Sequence, residues 1–276
     1  MVSDGAWGTF LQKKGMQPGE CPEQWNITRP GDVLDIAQSY IDAGADMIET
    51  NSFGGNYFKL KNYGLENQVY ELNKAASEIS RKAAGTDRFV LGSVGPTGKL
   101  LMMEEVTEEE LYAAFKEQSI ALEAGGADAI VIETMTDLEE ARIAVKAAKE
   151  NTGCEVICTM TFDKILGGGF RTMMGISPAE MTEALIEAGA SVIGANCGNG
   201  IADMIGIVQE IRQVNAEIPV LIHANAGMPH YCDGQTTFPE TPHDMASRVK
   251  EIIAAGANII GGCCGTTPDH ICEVHH

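Results

Sequence analysis

The stretch LEAGGADAIVIETM (residues 122–135) runs from the end of one structural element directly into another. Its first half contains the glycine that commonly ends a helix, because glycine adopts the left-handed cap without steric cost. Its second half is a continuous apolar run, which is typical of a strand buried on both faces of a parallel sheet. The same junction of a helix end and a strand recurs at residues 40–53, 185–197 and 252–264.

Further strands are predicted between these junctions, at residues 2–9, 88–96, 155–162 and 219–227. The intervening segments show helix signals, such as the capping boxes that start at Thr107 and Ser177. Strands that alternate with helices in this number predict an α/β fold, a TIM (β/α)8 barrel that forms a single domain. A doubly wound open sheet is the alternative, and the absence of a GxGxxG motif after the first strand disfavours it.

The composition excludes several classes of protein. The 276 residues carry a formal net charge of -20 at pH 7, which repels nucleic-acid phosphates and anionic lipid. We therefore expect no nucleic-acid partner and no membrane partner, and no apolar run is long enough for a transmembrane helix. Eight cysteines are too sparse for a disulfide scaffold in a chain of this length. Together with the lack of a secretory signal, they indicate a reduced, cytoplasmic protein.

The two ends of the sequence bear on its domain organisation. The predicted barrel domain covers residues 1–276. Its first strand begins almost at residue 1 and its last helix is short, so the sequence is compatible with a piece of a longer protein. His275 and His276 are consistent with the remnant of a tag, and we assign them no function.

The carboxyl ends of the strands hold the functional residues of a TIM barrel. Cys197 ends the sixth predicted strand, and Cys263 and Cys264 end the eighth. Three thiolates suit zinc and leave a fourth position open, which is the pattern of a catalytic rather than a structural zinc site. Because the sequence has no CxxC pair, this prediction depends on the fold bringing the cysteines together.

Other sulfur and imidazole groups have simpler interpretations. Cys154 and Cys158, on or near the fifth strand, are interpreted as core residues, since free cysteine is among the most buried residue types. His223, inside the seventh strand, is interpreted as a hydrogen-bonded core histidine. His230 and Cys232 in the following loop are a weaker alternative for metal ligands.

Acidic residues end three other strands: Asp4, Glu49 and Glu133. Beside a metal at a barrel mouth, such carboxylates indicate recognition of a cationic group such as an ammonium. The segment Gly5–Thr9 begins with a glycine and has another at Gly8, so its backbone N–H groups could bind a carboxylate. Ammonium, carboxylate and a thiophilic metal together describe an amino acid with a sulfur-containing side chain.

Motifs along nearly the whole chain resemble the homocysteine S-methyltransferase family. Within this family they are most similar to the homocysteine-binding domain of cobalamin-dependent methionine synthase, and less similar to the betaine and S-methylmethionine branches. The paired cysteines together with the NC motif are the most specific part of the resemblance. The motifs are DGAWGT (4–9), ETNSF (49–53), GSVGPTGKL (92–100), GANCGNG (194–200), ANAGMP (224–229) and GGCCGTTPDH (261–270).

The resemblance implies a role for each site residue. It implies Zn2+ on Cys197, Cys263 and Cys264, with Asn225 as a candidate fourth ligand when substrate is absent. The same mapping places the homocysteine ammonium at Asp4 and Glu133, with a vaguer role for Glu49. It places the substrate carboxylate near the backbone of Gly5, Ala6, Trp7, Gly8 and Thr9. Trp7 departs from the methionine that is common in this family, which bears on the shape of that loop.

The activity that the resemblance implies is methyl transfer to a thiol. A zinc-dependent enzyme would activate homocysteine thiolate for attack on a methyl donor and form methionine. The expected donor is methylcobalamin held by a corrinoid-binding domain or protein elsewhere, because no stretch of this chain reads as a corrinoid-binding domain. The alternatives are another donor such as betaine or S-methylmethionine, another thiol acceptor, a non-catalytic thiol-binding or corrinoid-docking module, and a purely structural zinc.

Overall fold

A computed structural model describes residues 1–232 and 235–276 of the chain, without the side chains of Cys232 and Gln235. Within these residues, a parallel sheet of seven strands forms the centre of the molecule. The strands, numbered along the chain, are β1 (Met47–Glu49), β2 (Phe89–Val94), β3 (Ala129–Met135), β4 (Glu155–Met160), β5 (Asp163–Lys164), β6 (Phe170–Arg171), β7 (Val192–Gly200), β8 (Val220–Asn225), β9 (His230–Cys232), β10 (Gln235–Thr237) and β11 (Ile259–Gly262). The order in the large sheet is β1-β2-β3-β4-β7-β8-β11, and β5-β6 and β9-β10 are small separate hairpins.

The first residues of the chain close this sheet into a barrel. Val2 forms a parallel bridge with Ile260 of β11, and the Ser3 N–H donates to the Ile260 carbonyl at 2.9 Å. On the other side, the Asp46 N–H donates to the Val2 carbonyl at 2.8 Å, just before β1 begins. The amino-terminal segment therefore supplies the missing strand between β11 and β1. The predicted TIM-barrel architecture is confirmed.

The strand predicted over residues 2–9 is wrong in its second half. Pairing with β11 ends at Asp4, and a helix starts at Gly8. The chain leaves the sheet because the Ala6 N–H donates to the Thr266 hydroxyl at 3.1 Å. This N–H is therefore not available for pairing with a strand. Gly5 makes this passage possible, since a Cβ there would lie 2.6 Å from the Thr266 Oγ1.

Helices surround the barrel and cover the outer face of its strands. Among the described residues, no helix is both long and apolar enough to cross a membrane. Short 3-10 helices lie at Pro22–Gln24, Glu66–Gln68 and Leu101–Met103. The α-helices are α1 (Gly8–Lys13), α2 (Trp25–Thr28), α3 (Pro30–Asp42), α4 (Tyr57–Lys61), α5 (Val69–Ala84), α6 (Glu108–Ala124), α7 (Leu138–Asn151), α8 (Pro178–Ala188), α9 (Ile201–Val214), α10 (Pro242–Ser247), α11 (Val249–Ala255) and α12 (Pro268–His275).

The predicted helix boundaries have the expected local causes. Capping boxes start α6 at Thr107 and α8 at Ser177, each with reciprocal hydrogen bonds to a glutamate three residues on. Gly189 and Gly256 end α8 and α11 in the left-handed conformation, with φ of 101° and 117°. Each of these glycines is followed within a few residues by a barrel strand, so the local cap sets the point at which the chain turns back into the sheet.

The interior of the barrel changes from apolar to polar along the strands. An apolar cluster fills its lower part with inward-facing residues from the strands, namely Met47, Leu91, Ala129, Val131, Ile157, Leu221 and Ile259. Because successive strand residues alternate between the two faces, the next inward position lies two residues further along each strand. At that level the side chains are polar and buried: Glu49, Ser93, Glu133, Thr159 and His223. The floor of the barrel mouth is therefore a buried polar layer.

Candidate functional site

A cavity of about 300 Å³ opens above this polar layer, at the carboxyl ends of the strands. Its wall includes the predicted segment Gly5–Thr9, the acids Glu49 and Glu133, and all three predicted cysteines. Asp4 and Asn225 lie outside this wall; both are buried, at 0% and 3% exposure. The fold thus brings together residues from its first, middle and last strands, as the predicted barrel requires.

The three cysteine side chains converge at one side of the cavity. Their Sγ atoms all lie within 4.8 Å of one another, and the Sγ atoms of Cys197 and Cys264 are 3.9 Å apart. All three residues are half-buried. Four ligands at zinc–sulfur distances of about 2.3 Å place tetrahedral sulfurs about 3.8 Å apart. The trio is therefore close to the spacing that a thiolate-bound zinc ion needs.

A bulge in β7 turns Cys197 toward the cavity. Asn196 pairs with His223 and Gly200 pairs with Asn225, so β7 has three residues where β8 has one. Cys197 has a φ of +60°, which is uncommon for a residue with a side chain. Strain of this kind persists where the surrounding structure enforces it, and it is concentrated at functional sites.

The adjacent Cys263 and Cys264 reach the same point because β11 ends at Gly262, before them. The Cys263 N–H still donates to the Ala224 carbonyl at 2.7 Å, and the Cys264 carbonyl accepts from Ala226 at 3.0 Å. The Cys263 carbonyl then accepts the Thr266 hydroxyl at 2.7 Å, which folds the chain into a tight turn. In this turn the two side chains are no longer constrained to alternate.

The chemistry of the cluster fits a thiophilic metal. Hydrogen bonds from Cys263 and then Cys264 lower the pKa of Cys197. The same contacts, in which the other thiols face a negative Cys197, raise the pKa of Cys263. The Asn225 side chain also contacts Cys197, and its buried Oδ1 has no hydrogen-bond partner among the described residues. Three sulfurs and one unsatisfied oxygen form a donor set that matches a four-coordinate zinc ion.

The three predicted carboxylates lie at two different depths of the site. Asp4 is fully buried and already accepts hydrogen bonds from the Trp7 indole and the Glu49 N–H, both at 2.9 Å. It therefore holds β1 and the first loop together from below. Glu49 and Glu133 are each 7% exposed and face the cavity, so they are the carboxylates that a bound molecule can reach.

Neutral polar groups orient Glu133. The Ser93 hydroxyl donates to its Oε1 at 2.5 Å, and the Asn196 amide approaches its Oε2 at 3.4 Å. The same Asn196 amide donates to the Thr134 hydroxyl at 2.7 Å and lies 4.0 Å from the Cys263 Sγ. Asn196 thus connects the acidic side of the cavity with the sulfur side.

Burial is the main cause of unusual pKa values in this cluster. It raises the pKa of Asp4 to about 7, with the nearby Glu49 charge adding to the effect. It raises the pKa of Glu49 to about 8 and raises that of Glu133 well above its usual value. A cationic group in the cavity would relieve the repulsion among these acids, so the cluster is suited to bind one.

His223 is a cavity residue that the sequence interpretation placed in the core. It is 2% exposed and lines the cavity, and its Nδ1 lies 3.3 Å from the Glu49 Oε1. Burial lowers its pKa. The signal that could have found it is the two-residue strand period, which also identifies Ser93 as an inward-facing neighbour of the site.

The other cysteines and the histidine of the loop after β8 lie away from the three-thiol cluster or outside the described residues. Cys154 and Cys158 are buried core residues, as predicted. His230 lies on β9 and is exposed, and the side chain of Cys232 lies outside the described residues. Within the part of the chain that the structure describes, the cluster of metal-binding type is Cys197, Cys263 and Cys264.

A closed parallel barrel with three thiols and a group of buried carboxylates at its mouth defines a TIM-barrel protein with a thiol-rich candidate metal centre. Comparison with known proteins is consistent with this class of protein and identifies one family within it. The family model described as homocysteine S-methyltransferase matches residues 1–276. The chain belongs to the homocysteine S-methyltransferase family.

Individual relatives differ in length and in degree of similarity. The methionine synthases of Mycobacterium leprae (strain TN) and Mycobacterium tuberculosis (strain ATCC 25618 / H37Rv) are each 33% identical over 288 residues, which cover 99% of this chain and 24% of the relative. The chain thus spans about a quarter of the length of these curated relatives. The homocysteine methyltransferase MmuM from Escherichia coli, in its metallated form, matches with a TM-score of 0.80 and 22% identity over 100% of this chain and 95% of that one. At this identity the structural likeness shows the fold alone.

Proposed function

We propose that this chain is the homocysteine-binding barrel of a zinc-dependent methyltransferase that forms methionine. The observation that carries the proposal is the convergence of three thiols and a buried acidic cluster on one cavity of about 300 Å³. A cavity of this volume is at the small end of the range for ligand sites and suits an amino acid. Family membership supports the same substrate.

The sulfur side of the cavity would hold the metal. Cys197, Cys263 and Cys264 would be the permanent ligands, and Asn225 would be the fourth while substrate is absent. When bound, Zn2+ would keep a substrate thiol deprotonated at neutral pH, where a free thiol is mostly protonated. Three cysteinate ligands leave more negative charge on the metal than imidazoles do, so a bound sulfur would keep more of its nucleophilicity.

The acidic side of the cavity would bind the amino acid. Glu133, fixed by Ser93, and Glu49 would receive the ammonium, because both face the cavity. Asp4 would act from beneath, through its hydrogen bond to the Glu49 N–H. The backbone of Gly5–Thr9 on the same wall would receive the substrate carboxylate, with the N–H groups of Gly8 and Thr9 at the start of α1 best placed to donate.

The methyl donor would reach the cavity from outside the barrel. A corrinoid is far larger than the cavity, so methylcobalamin would have to be presented by another domain or protein that covers the mouth. The curated methionine synthase relatives, which are about four times as long as this chain, are consistent with such a partner domain. In this proposal residues 1–276 are the homocysteine-binding TIM barrel alone.

A donor assay tests the proposal. The zinc-loaded chain is mixed with L-homocysteine and either methylcobalamin, betaine or S-methylmethionine, and methionine is measured by mass spectrometry. We expect methionine with methylcobalamin and none after the zinc has been removed with a chelator. Methionine with only betaine or S-methylmethionine would reassign the donor. Homocysteine binding without turnover from any donor would identify a binding module, and turnover that survives zinc removal would exclude a catalytic zinc.

A further inference from the structure

Glu49 and His223 form a buried pair whose two side chains come from strands that are not neighbours in the barrel. Glu49 lies at the end of β1 and His223 lies within β8, and β11 and the amino-terminal segment separate these strands. The imidazole Nδ1 is 3.3 Å from the Glu49 Oε1. Because both residues point inward at the polar level of the barrel, this contact forms inside the cavity wall.

The fold reserves space for the imidazole ring. Gly261 of β11 is paired with His223, and a Cβ at that glycine would lie 2.8 Å from the His223 Cδ2. A Cβ contact under 3.0 Å forces one of the two groups to move, so any side chain at residue 261 would displace the ring. The backbone of Glu49 is held independently, through its N–H to Asp4 and its carbonyl to the Ser80 hydroxyl.

The pair is not satisfied by the protein itself. Among the described residues, the His223 Nε2 and the Glu49 Oε1 are buried polar atoms without a hydrogen-bond partner. A core histidine that serves only the fold is normally hydrogen-bonded, because an unsatisfied buried polar group destabilises the folded chain. Contacts in ligand-free sites are often long or poorly aligned and shorten when the ligand binds. The unsatisfied atoms therefore point to a ligand group.

We propose that His223 is a positioning residue that aims the Glu49 carboxylate at the ammonium group of the amino-acid substrate. The His223 Nδ1 lies 3.3 Å from the Glu49 Oε1 without forming a hydrogen bond in the ligand-free site. A hydrogen bond from Nδ1–H that forms as substrate binds would fix the orientation of a carboxylate whose backbone is already held. The aimed carboxylate then faces the cavity on the same side as Glu133, and the ammonium lies between the two acids. This inference rests on the proposed function only for the identity of the substrate.

Two ligands that differ only in the amino group test the role. The zinc-loaded chain and its variants are titrated by calorimetry with L-homocysteine and with 4-sulfanylbutanoate, which has the same thiol and carboxylate but no ammonium. His223→Leu should weaken homocysteine binding by about tenfold, as expected for one lost charge-assisted hydrogen bond. It should leave 4-sulfanylbutanoate binding unchanged. His223→Asn, which keeps an N–H near the Nδ1 position, should retain most of the homocysteine affinity.

A double variant separates positioning from direct contact. Glu49→Gln and the double variant Glu49→Gln/His223→Leu should bind homocysteine with the same affinity, since His223 acts through Glu49. Zinc content and thermal unfolding of each variant show that the site and the fold are intact. If His223→Leu does not fold, Glu49→Gln provides the measurement, since it should weaken homocysteine binding and leave 4-sulfanylbutanoate binding unchanged. Equal loss for both ligands, or losses that add in the double variant, would overturn the inference. A wild-type chain that binds neither ligand would overturn the proposed function as well.

Discussion

The Sγ atoms of Cys197 and Cys264 lie 3.9 Å apart although 67 residues separate them along the chain. The barrel accounts for the short distance between these sulfurs. β7 and β11 both flank β8, and the carboxyl ends of β7 and β11 lie at the mouth of the barrel. The bulge in β7 and the turn after β11 then direct the two side chains toward each other. A third sulfur, from Cys263, completes a donor set that no local stretch of sequence contains.

Removal of one thiol should strongly weaken metal binding without unfolding the barrel. We expect Cys264→Ser to lower the affinity for zinc by at least about 100-fold, since it removes a ligand rather than an outer hydrogen-bond partner. Zinc content after dialysis against a weak chelator, with circular dichroism for the fold, measures the effect. Cys272→Ser on α12 is the matched control, because that half-buried thiol lies outside the cluster. Wild-type zinc content in Cys264→Ser would remove this cysteine from the metal site.

Neutralisation of Glu133 should weaken amino-acid binding selectively. Glu133→Gln keeps the size of the side chain and the contact with Ser93 but removes the charge, so the KM for homocysteine should rise by about 10- to 100-fold. Zinc content should be unchanged. Glu183→Gln, at an exposed position on α8, controls for the change in net charge. An unchanged KM in Glu133→Gln would place the ammonium elsewhere.

The buried acids should make the metal-free and substrate-free chain less stable as the pH rises. Burial raises the pKa of Asp4 to about 7 and that of Glu49 to about 8. The folded chain therefore holds more protons than the unfolded chain between about pH 4 and pH 8, and the free energy of unfolding falls as the pH rises through this window. This stabilisation is complete below about pH 4 and is lost above the folded-state pKa values.

Glu49→Gln isolates one part of this dependence. The variant lacks the ionisation of Glu49, so its stability relative to wild type should improve with rising pH, by at most about 1.4 kcal/mol per pH unit between about pH 5 and pH 8. Denaturant unfolding of both proteins at several pH values measures the difference. Parallel stability curves for the two proteins would show that Glu49 ionises normally in the folded chain.

A methyl group at Gly261 should strain the barrel seam. Its Cβ would lie 2.8 Å from both the Asp4 carbonyl oxygen and the His223 Cδ2. We expect Gly261→Ala to lower the free energy of unfolding by about 1–3 kcal/mol, in the range found for overpacked cores. Gly31→Ala on α3 is the control. Apart from the neighbouring residues of the chain and the backbone of its own helix, no heavy atom lies within 4 Å of the added Cβ. Equal stability of the two variants would contradict the close packing at this seam.

Much of the fold could be predicted from local signals. The glycines that end α8 and α11, and the apolar runs that follow them, are features of single segments and do not need the rest of the molecule. Their repetition indicates a closed barrel. The predicted extent of the first strand is wrong because residues 5–9 carry no local signal that the chain leaves the sheet there. The interaction that removes them, from Ala6 to Thr266, spans 260 residues.

For the site, the sequence identifies some of the residues but not the partners that orient them. The cysteines and acids at strand ends could be named, since the ends of parallel strands share one edge of a barrel. The sequence predicts His223 to be a core residue and gives no signal that Ser93 and Asn196 are partners of Glu133. Their roles depend on which face of the strand they occupy and on what lies across the barrel, and only the first of these can be read from the strand period.

The sequence by itself determined the alternation of helices and strands, the family of the chain and the residue types that its chemistry uses. The tertiary structure decided which of those residues meet. Barrel closure by residues 1–4 places Asp4 beneath Glu49, and the bulge in β7 places Cys197 beside Cys263 and Cys264. The physical reason is that helix caps and apolar runs act over a few neighbouring residues. A cavity wall is instead assembled from strand ends that are far apart in sequence, by the register and curvature of the whole sheet.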